Sequence, residues 1–245
     1  KVPYRTDGTR ASPSDPNDFS DFDTVSSIYQ KGGYDGIGIG VFDENCRYFA
    51  DKLHEMNFGY WQVLPFNPVD KANSPYCSAS AFAGNILFID PKSLYEEGLC
   101  TKEQYEENIY TGSPYTADYE FALKKRMKLL KTAFSNISPE TAEKVRVFAE
   151  ENSWLPDFAL FMALKELHND APWWEWDEKH ARYEKALKDK DSFRSETDFY
   201  IFTQYAFFTQ WRRLKETANS MGVRFLGDMP IYVSRDSADV WSNRE

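Results

Sequence analysis

The apolar period of the chain changes several times from one end to the other. Residues 1–24 carry Pro, Asp, Ser and Gly without an apolar repeat, which predicts an irregular arm. A short strand, TVSSIY, is expected at 24–29. After the glycine stretch GGYDGIGIG (32–40), apolar residues recur at Phe42, Cys46, Phe49, Leu53 and Met56. Those steps of four and three place them on one helical face, and the helix should end near Asn57 and Gly59. YWQVLPF (60–66) and NILFID (85–90) each read as a short buried strand bounded by turn residues. Strand, helix, strand with near-continuous hydrophobic strands predicts a parallel sheet covered by helices.

From 91 to 222 the pattern is helical almost throughout. Tyr119, Leu123, Met127, Leu130 and Phe134 form one stripe, and Phe207, Trp211, Leu214, Ala218 and Met221 another. The second stripe is given a capping box at Ser195 and Asp198 and a terminating Gly222. Between them, PWWEWDEKHARYEKALKDK (172–190) spreads its charges as a solvated helix face would. The sheet resumes in VRFLGDMPIYV (223–233), a strand and a turn leading to the short helix DSADVW (236–241). The expected organisation is therefore an arm over 1–24, the first strands and helix over 25–90, a mainly helical insert over 91–222, and a further strand and helix over 223–245. Three or four strands fall short of the eight a closed (β/α)8 barrel needs, so the chain is expected to stop before closure.

Composition narrows the function classes. An apolar fraction of 42% over 245 residues excludes wholesale disorder, and a 17% aromatic share suits a packed helical core or stacking platforms for sugar rings. A net charge of -10, with no basic run interleaved with aromatics, argues against nucleic acid and anionic lipid. The longest apolar runs, such as FALFMAL (158–164), are too short for a membrane span, and KVPYRTDGTR is no signal sequence. A cytoplasmic location is expected. Cys46, Cys77 and Cys100 are odd in number and form no C-x-x-C pair, and His54, His168 and His180 are scattered along the chain. Neither a disulfide framework nor a zinc site is expected.

Candidate chemistry gathers in the loops that leave strand ends, where parallel α/β architectures hold their ligands. The stretch NSPYCSASAFAGN (73–85) follows YWQVLP and offers the hydroxyls of Ser74, Tyr76 and Ser78 and an aromatic face. A ligand-binding loop and an ordered loop that packs Tyr76 and Phe82 against the scaffold both fit that pattern. Asp228, just past RFLG, has the same placement. It is suited either to accept hydrogen bonds from sugar hydroxyls or hold a catalytic side chain, or simply to cap the turn. Asp236 is the expected cap of the 236–241 helix and Asp239 its first-turn charge. GGYDGIGIG fits neither G-x-G-x-x-G nor G-x-x-x-x-G-K-[ST], so no phosphate loop is assigned.

YWQVLPFNP (60–68), NSPYCSASAFAGN, DFALFMALK (157–165), FTQYAFFTQWRRLK (202–215) and GDMPIYVSRDSADVW (227–241) together resemble the amylomaltases, the 4-alpha-glucanotransferases also called disproportionating enzymes. The resemblance runs from about residue 36 to the end. It implies an α/β fold, an incomplete (β/α)8 TIM-type barrel with a large helical insertion. It also implies cytoplasmic maltodextrin or starch metabolism without metal or organic cofactor. The reaction it implies is retaining transfer of alpha-1,4-glucan segments, in which one carboxylate attacks the anomeric carbon while a second, protonated carboxyl assists the leaving oxygen.

By the same resemblance Tyr76 and Ser74 match the S-P-Y of a glucan subsite, and Asp228 matches the aspartate of G-D-[IM]-P-I near the scissile bond. Three departures stand out. VDKAN replaces the usual T-G-Y-G, leaving Lys71 where a tyrosine of a second glucan surface often stands. TVSSIYQKGGYDGIGIG replaces the usual first strand and turn, with Tyr34 only a loose match. The segments that carry the family's nucleophile, acid/base and third aspartate (R-I-D-H-F-R, A-E-D-L-G and T-H-D) are not found. The resemblance thus implies the N-terminal part of such an enzyme, without catalytic carboxylates of its own, whose partners are alpha-1,4-glucans and the remaining C-terminal part. The alternative is a non-catalytic glucan-binding or partner-binding module.

Overall fold

Two helices carry the architecture, and their sequences show why. In a computed structural model describing residues 42–71, 73–112, 118–230 and 232–244, the chain divides into two compact units. One comprises 1–38 and 109–117, of which only 109–112 are described, without regular structure. The expected arm and the strand at 24–29 lie outside the described residues. The other unit, 39–108 with 118–245, holds every element below.

It begins with α1 (Glu44–Glu55), capped by Asp43, whose carboxylate accepts the N–H groups of Asn45 and Cys46. Asn57, at φ 60°, ends the helix where the sequence places its end. β1 (Tyr60–Gln62) follows, then a long loop, α2 (Pro91–Glu96), α3 (Lys102–Glu106), α4 (Tyr119–Ser135), α5 (Pro139–Glu151) and α6 (Leu155–Leu167). α7 (Glu178–Ala181) and α8 (Tyr183–Lys188) are short, and their exposed charges form the solvated face expected of 172–190. The 27-residue α9 (Arg194–Ser220) leads into β2 (Arg224–Leu226), and α10 (Ala238–Ser242) follows.

α9 is the spine. Phe199, Phe202, Ala206, Phe207, Gln210, Leu214 and Ala218 repeat at threes and fours and are buried against α6, α1, α5 and α4. α6 buries Leu155, Phe158, Leu160, Phe161 and Leu164 on several sides, as a helix enclosed by neighbours must. Phe42, Phe66, Phe88, Phe207 and Trp211 form an aromatic cluster with ring centroids 4.9–5.5 Å apart that joins α1, the loop and α9. The stripe on α9 faces this core as expected. On α4, Leu130 is buried and Met127 and Phe134 half-buried, but Tyr119 and Leu123 in the first turns are exposed.

Among the described residues the strands are shorter than expected, and there are two. β1 and β2 pair in parallel, with Tyr60 opposite Arg224, Trp61 opposite Phe225 and Gln62 opposite Leu226. Among the described residues, Phe49 and Trp211 cover the Trp61 and Phe225 face, and Tyr60 on the other face is 63% exposed. These are not strands buried on both faces.

NILFID is not a strand. Ile86–Phe88 form a 3-10 turn capped by the Asn85 side chain, and Asp90 caps α2 ahead of Pro91. The buried Arg126 guanidinium donates to the carbonyls of Ile86, Leu87 and Ile89, and burial pulls its pKa down to about 10. Gln210 holds the backbone of Asp90 from both sides. With side chains taking these carbonyls, no neighbouring strand is needed to satisfy them.

Two further expectations are corrected. The 3-10 turn Lys190–Phe193 runs directly into α9, whose N-cap is Phe193 without a side-chain cap, so Ser195 and Asp198 form no capping box. Ser237, not Asp236, caps α10 through its hydroxyl, which accepts the Val240 N–H.

Candidate functional site

The loop that leaves β1 is built by side chains reaching its backbone. Asn67 is buried, and its amide donates to three carbonyls, those of Ser80, Ala81 and Ala83, at 3.1, 2.9 and 3.2 Å. Gln204, on the spine, accepts the Gly84 N–H at 2.7 Å and donates to the Gly84 carbonyl at 3.0 Å. A Cβ at Gly84 would lie 2.2 Å from the Phe207 ring, so only glycine lets the loop seat this deeply. Asp239, in the first turn of α10 as expected, accepts the Ala81 N–H at 2.8 Å and the Ser80 hydroxyl at 3.4 Å. Burial raises its pKa despite those donors.

At the outer end of this loop, Asp70 accepts the Ser74 N–H at 2.9 Å, and Ser74 caps the 3-10 turn Pro75–Cys77 by accepting the Tyr76 N–H. The turn presents Tyr76, 39% exposed, to the segment leaving β2. There the Tyr76 hydroxyl donates to Asp228 Oδ2 at 2.8 Å. That bond raises the Tyr76 pKa, because ionising the phenol would set a second anion beside the carboxylate. Asp228 is exposed, as are Met229 at 80% and Tyr232 at 79%.

Tyr76 and Asp228, 152 residues apart in sequence, are thus brought together where both paired strands end. Ser74 stands next to them, but its oxygen serves the turn. Ser78 is buried and its hydroxyl accepts the Ser80 N–H. Phe82 stacks on Trp154 with centroids 6.1 Å apart and stays largely exposed. Lys71 pairs with Asp170 at 3.4 Å through two exposed side chains.

Two features were missed by the sequence reading. Asp236 accepts from Lys165 Nζ at 2.8 Å and from the Trp173 N–H at 3.2 Å, which ties the segment after Asp228 to the end of α6. Asp236 precedes Ser237, and nothing local distinguished the two as caps. His168 and His180, read as scattered, stand with ring nitrogens 2.9 Å apart beside Asp177. The D-x-x-H spacing at the start of a short helix was the available signal. A separate cleft of about 280 Å³, lined by Leu94, Leu99, Lys144, Phe202 and Arg213 among others, does not include Ser74, Tyr76 or Asp228.

The arrangement can hold a polyol. An exposed phenol ring offers a stacking face, and a carboxylate with one oxygen already oriented by that phenol can accept hydroxyl hydrogen bonds. A family model described as 4-alpha-glucanotransferase (Glyco_hydro_77) matches residues 26–245. The chain is 40% identical over 209 residues to the 4-alpha-glucanotransferase of Clostridium butyricum, covering 84% of this chain and 43% of that one. It is 42% identical over 216 residues to the enzyme of Thermus thermophilus, covering 85% and 42%. Among solved structures it is similar to the amylomaltase from Streptococcus agalactiae in complex with acarbose, with a TM-score of 0.79, 36% identity, and coverage of 84% and 43%. The chain therefore spans less than half the length of these relatives.

Proposed function

The chain belongs to the 4-alpha-glucanotransferase family, and from that premise we propose that it forms one side of the glucan cleft of an enzyme that moves alpha-1,4-glucan segments between maltodextrins. In this reading Tyr76 stacks on a glucose ring and Asp228 accepts hydrogen bonds from the sugar beside the bond being broken. Ser74 shapes the subsite by capping the turn that carries Tyr76. The attacking and proton-donating carboxylates of a retaining reaction are not among this chain's residues, and it supplies the N-terminal part of the enzyme. The fold that goes with this reading is part of a (β/α)8 barrel with the helices of 91–222 inserted. The parallel β1 and β2 pair, with Tyr60 and Leu226 exposed on its uncovered face, supports it. In keeping with the resemblance, we place the enzyme in the cytoplasm.

The observation that carries the proposal is the Tyr76 to Asp228 hydrogen bond, which joins the two loops leaving the paired strands. Asp228→Asn in the complete enzyme tests it. Loss of a charge-assisted hydrogen bond should cost about 1.5 to 3 kcal/mol, roughly ten- to a hundredfold in kcat on maltotriose. An unchanged kcat would remove Asp228 from the site.

A further inference from the structure

Away from the glucan loops, His168 ends α6 as its C-cap and stacks on Trp176 with ring centroids 5.2 Å apart. Asp177 caps α7 by accepting the His180 N–H on Oδ1 at 3.0 Å. Its other oxygen, Oδ2, lies 3.1 Å from His180 Nδ1 and 3.7 Å from His168 Nε2, and those two ring nitrogens are 2.9 Å apart. One carboxylate oxygen and two imidazole nitrogens thus face a common point.

Neutral imidazoles leave this group unsatisfied. If His180 carries its proton on Nδ1, one hydrogen faces two acceptors, and Nε2 is a buried lone pair without a donor among the described residues. If it carries the proton on Nε2, Nδ1 faces a carboxylate oxygen 3.1 Å away and accepts only if His168 carries its own proton on Nε2, 2.9 Å away. The buried Nε2–H then has no hydrogen-bond acceptor. A cation at the common point ends the facing of lone pairs, while the buried Nε2–H keeps no acceptor within hydrogen-bond distance. The cation takes all three lone pairs and fixes the His180 proton on Nε2, which lies 3.8 Å from Asp189 Oδ2.

We propose that His168, Asp177 and His180 form a binding site for a divalent transition metal of the zinc type. Donors at about 2.1 Å from such an ion stand about 3.0 to 3.4 Å apart in tetrahedral or octahedral geometry, close to the observed separations. Two imidazoles and one carboxylate suit zinc, cobalt or nickel rather than calcium or magnesium. The site joins the end of α6 to the start of α7. It closes the turn whose Trp173 N–H and indole Nε1–H donate to Asp236 and to the Arg235 carbonyl. The ion is a structural clamp on the segment that follows Asp228, at residues whose spacing alone led to the expectation of no metal site.

The test is a titration of the 245-residue chain, freed of any affinity tag, with Co²⁺ followed by visible d–d absorption and then displacement by Zn²⁺. The expected result is one equivalent bound, without the thiolate charge-transfer band that Cys46, Cys77 or Cys100 would give. Zn²⁺ at a hundredfold excess over its Kd should raise Tm by about 5 to 10 °C. Asp177→Asn, which keeps the helix cap, and His168→Gln should each weaken binding about tenfold or more, whereas His54→Gln should leave it unchanged. Affinity weaker than about 1 mM, or equal affinity in His168→Gln and the parent chain, would overturn the site.

Discussion

The loop leaving β1 and the segment leaving β2 start side by side from paired strands, yet they are held in different ways. Residues 67–85 are fixed from three directions by Asn67, Gln204 and Asp239, all aimed at backbone groups. Residues 227–233 expose Asp228, Met229 and Tyr232 and touch the first loop through the Tyr76 hydroxyl. The first loop is preorganised by the helical body, since Gln204 belongs to α9. The second is anchored further along, at Asp236, by Lys165 and Trp173. In the proposed reading, a glucan between them would meet one wall held by buried hydrogen bonds and one wall with an exposed end. Binding cost is lowered where the wall is rigid.

Substitutions that loosen the first loop should dominate stability. Gln204→Leu leaves the buried Gly84 N–H and carbonyl unpaired and should destabilise the unit by about 2 to 4 kcal/mol in urea unfolding. Gly84→Ala, which drives a methyl into the Phe207 ring, should cost about 1 to 3 kcal/mol by the same measurement. A fully wild-type unfolding midpoint for both would mean that the loop is not held by the spine. Tyr76→Phe, across the seam between the two walls, should leave the unfolding midpoint unchanged, since both partners of the lost bond are exposed.

The same seam has a pH signature. The raised Tyr76 pKa means that the folded state keeps the phenol proton where the unfolded chain has begun to lose it. Its contribution is complete below the ordinary tyrosine value of about 10 and disappears as pH rises through the raised one. Asp228→Asn should bring the Tyr76 titration back toward the ordinary value, followed as phenolate absorbance against Tyr76→Phe. No movement would show that the carboxylate does not face the phenol.

What the sequence made legible follows from what kind of interaction set each element. The α9 stripe and the apolar run of α6 were readable because burial itself imposes their period. A parallel sheet with strands at 60–66 and within 223–233 was expected from strand-forming residues on both sides of helices, but that 60–62 lies beside 224–226 was not legible. NILFID misled because its four apolar residues have the composition of a strand. Its conformation is decided by Asn85, Asp90 and the distant Arg126 and Gln210, which no local period reveals. Asp228 and Tyr76 were nameable from their positions at strand ends. That Ser74 and Ser78 spend their oxygens on backbone N–H groups was not. The two histidines meet only because α6 ends and α7 begins at one place, a fact of chain path rather than of spacing.

The central claim is that the exposed Tyr76 face, set on the rigid wall, binds a glucose ring. Calorimetric titration of a maltodextrin of fixed length into the complete enzyme and its Tyr76→Ala variant measures this directly. The account predicts a loss of about 1 to 3 kcal/mol, by analogy with the cost of losing an aromatic stacking platform, or roughly five- to a hundredfold in Kd, with an unchanged unfolding midpoint. Equal affinity in two equally stable proteins would contradict it and leave Tyr76 as a residue that only packs the loop.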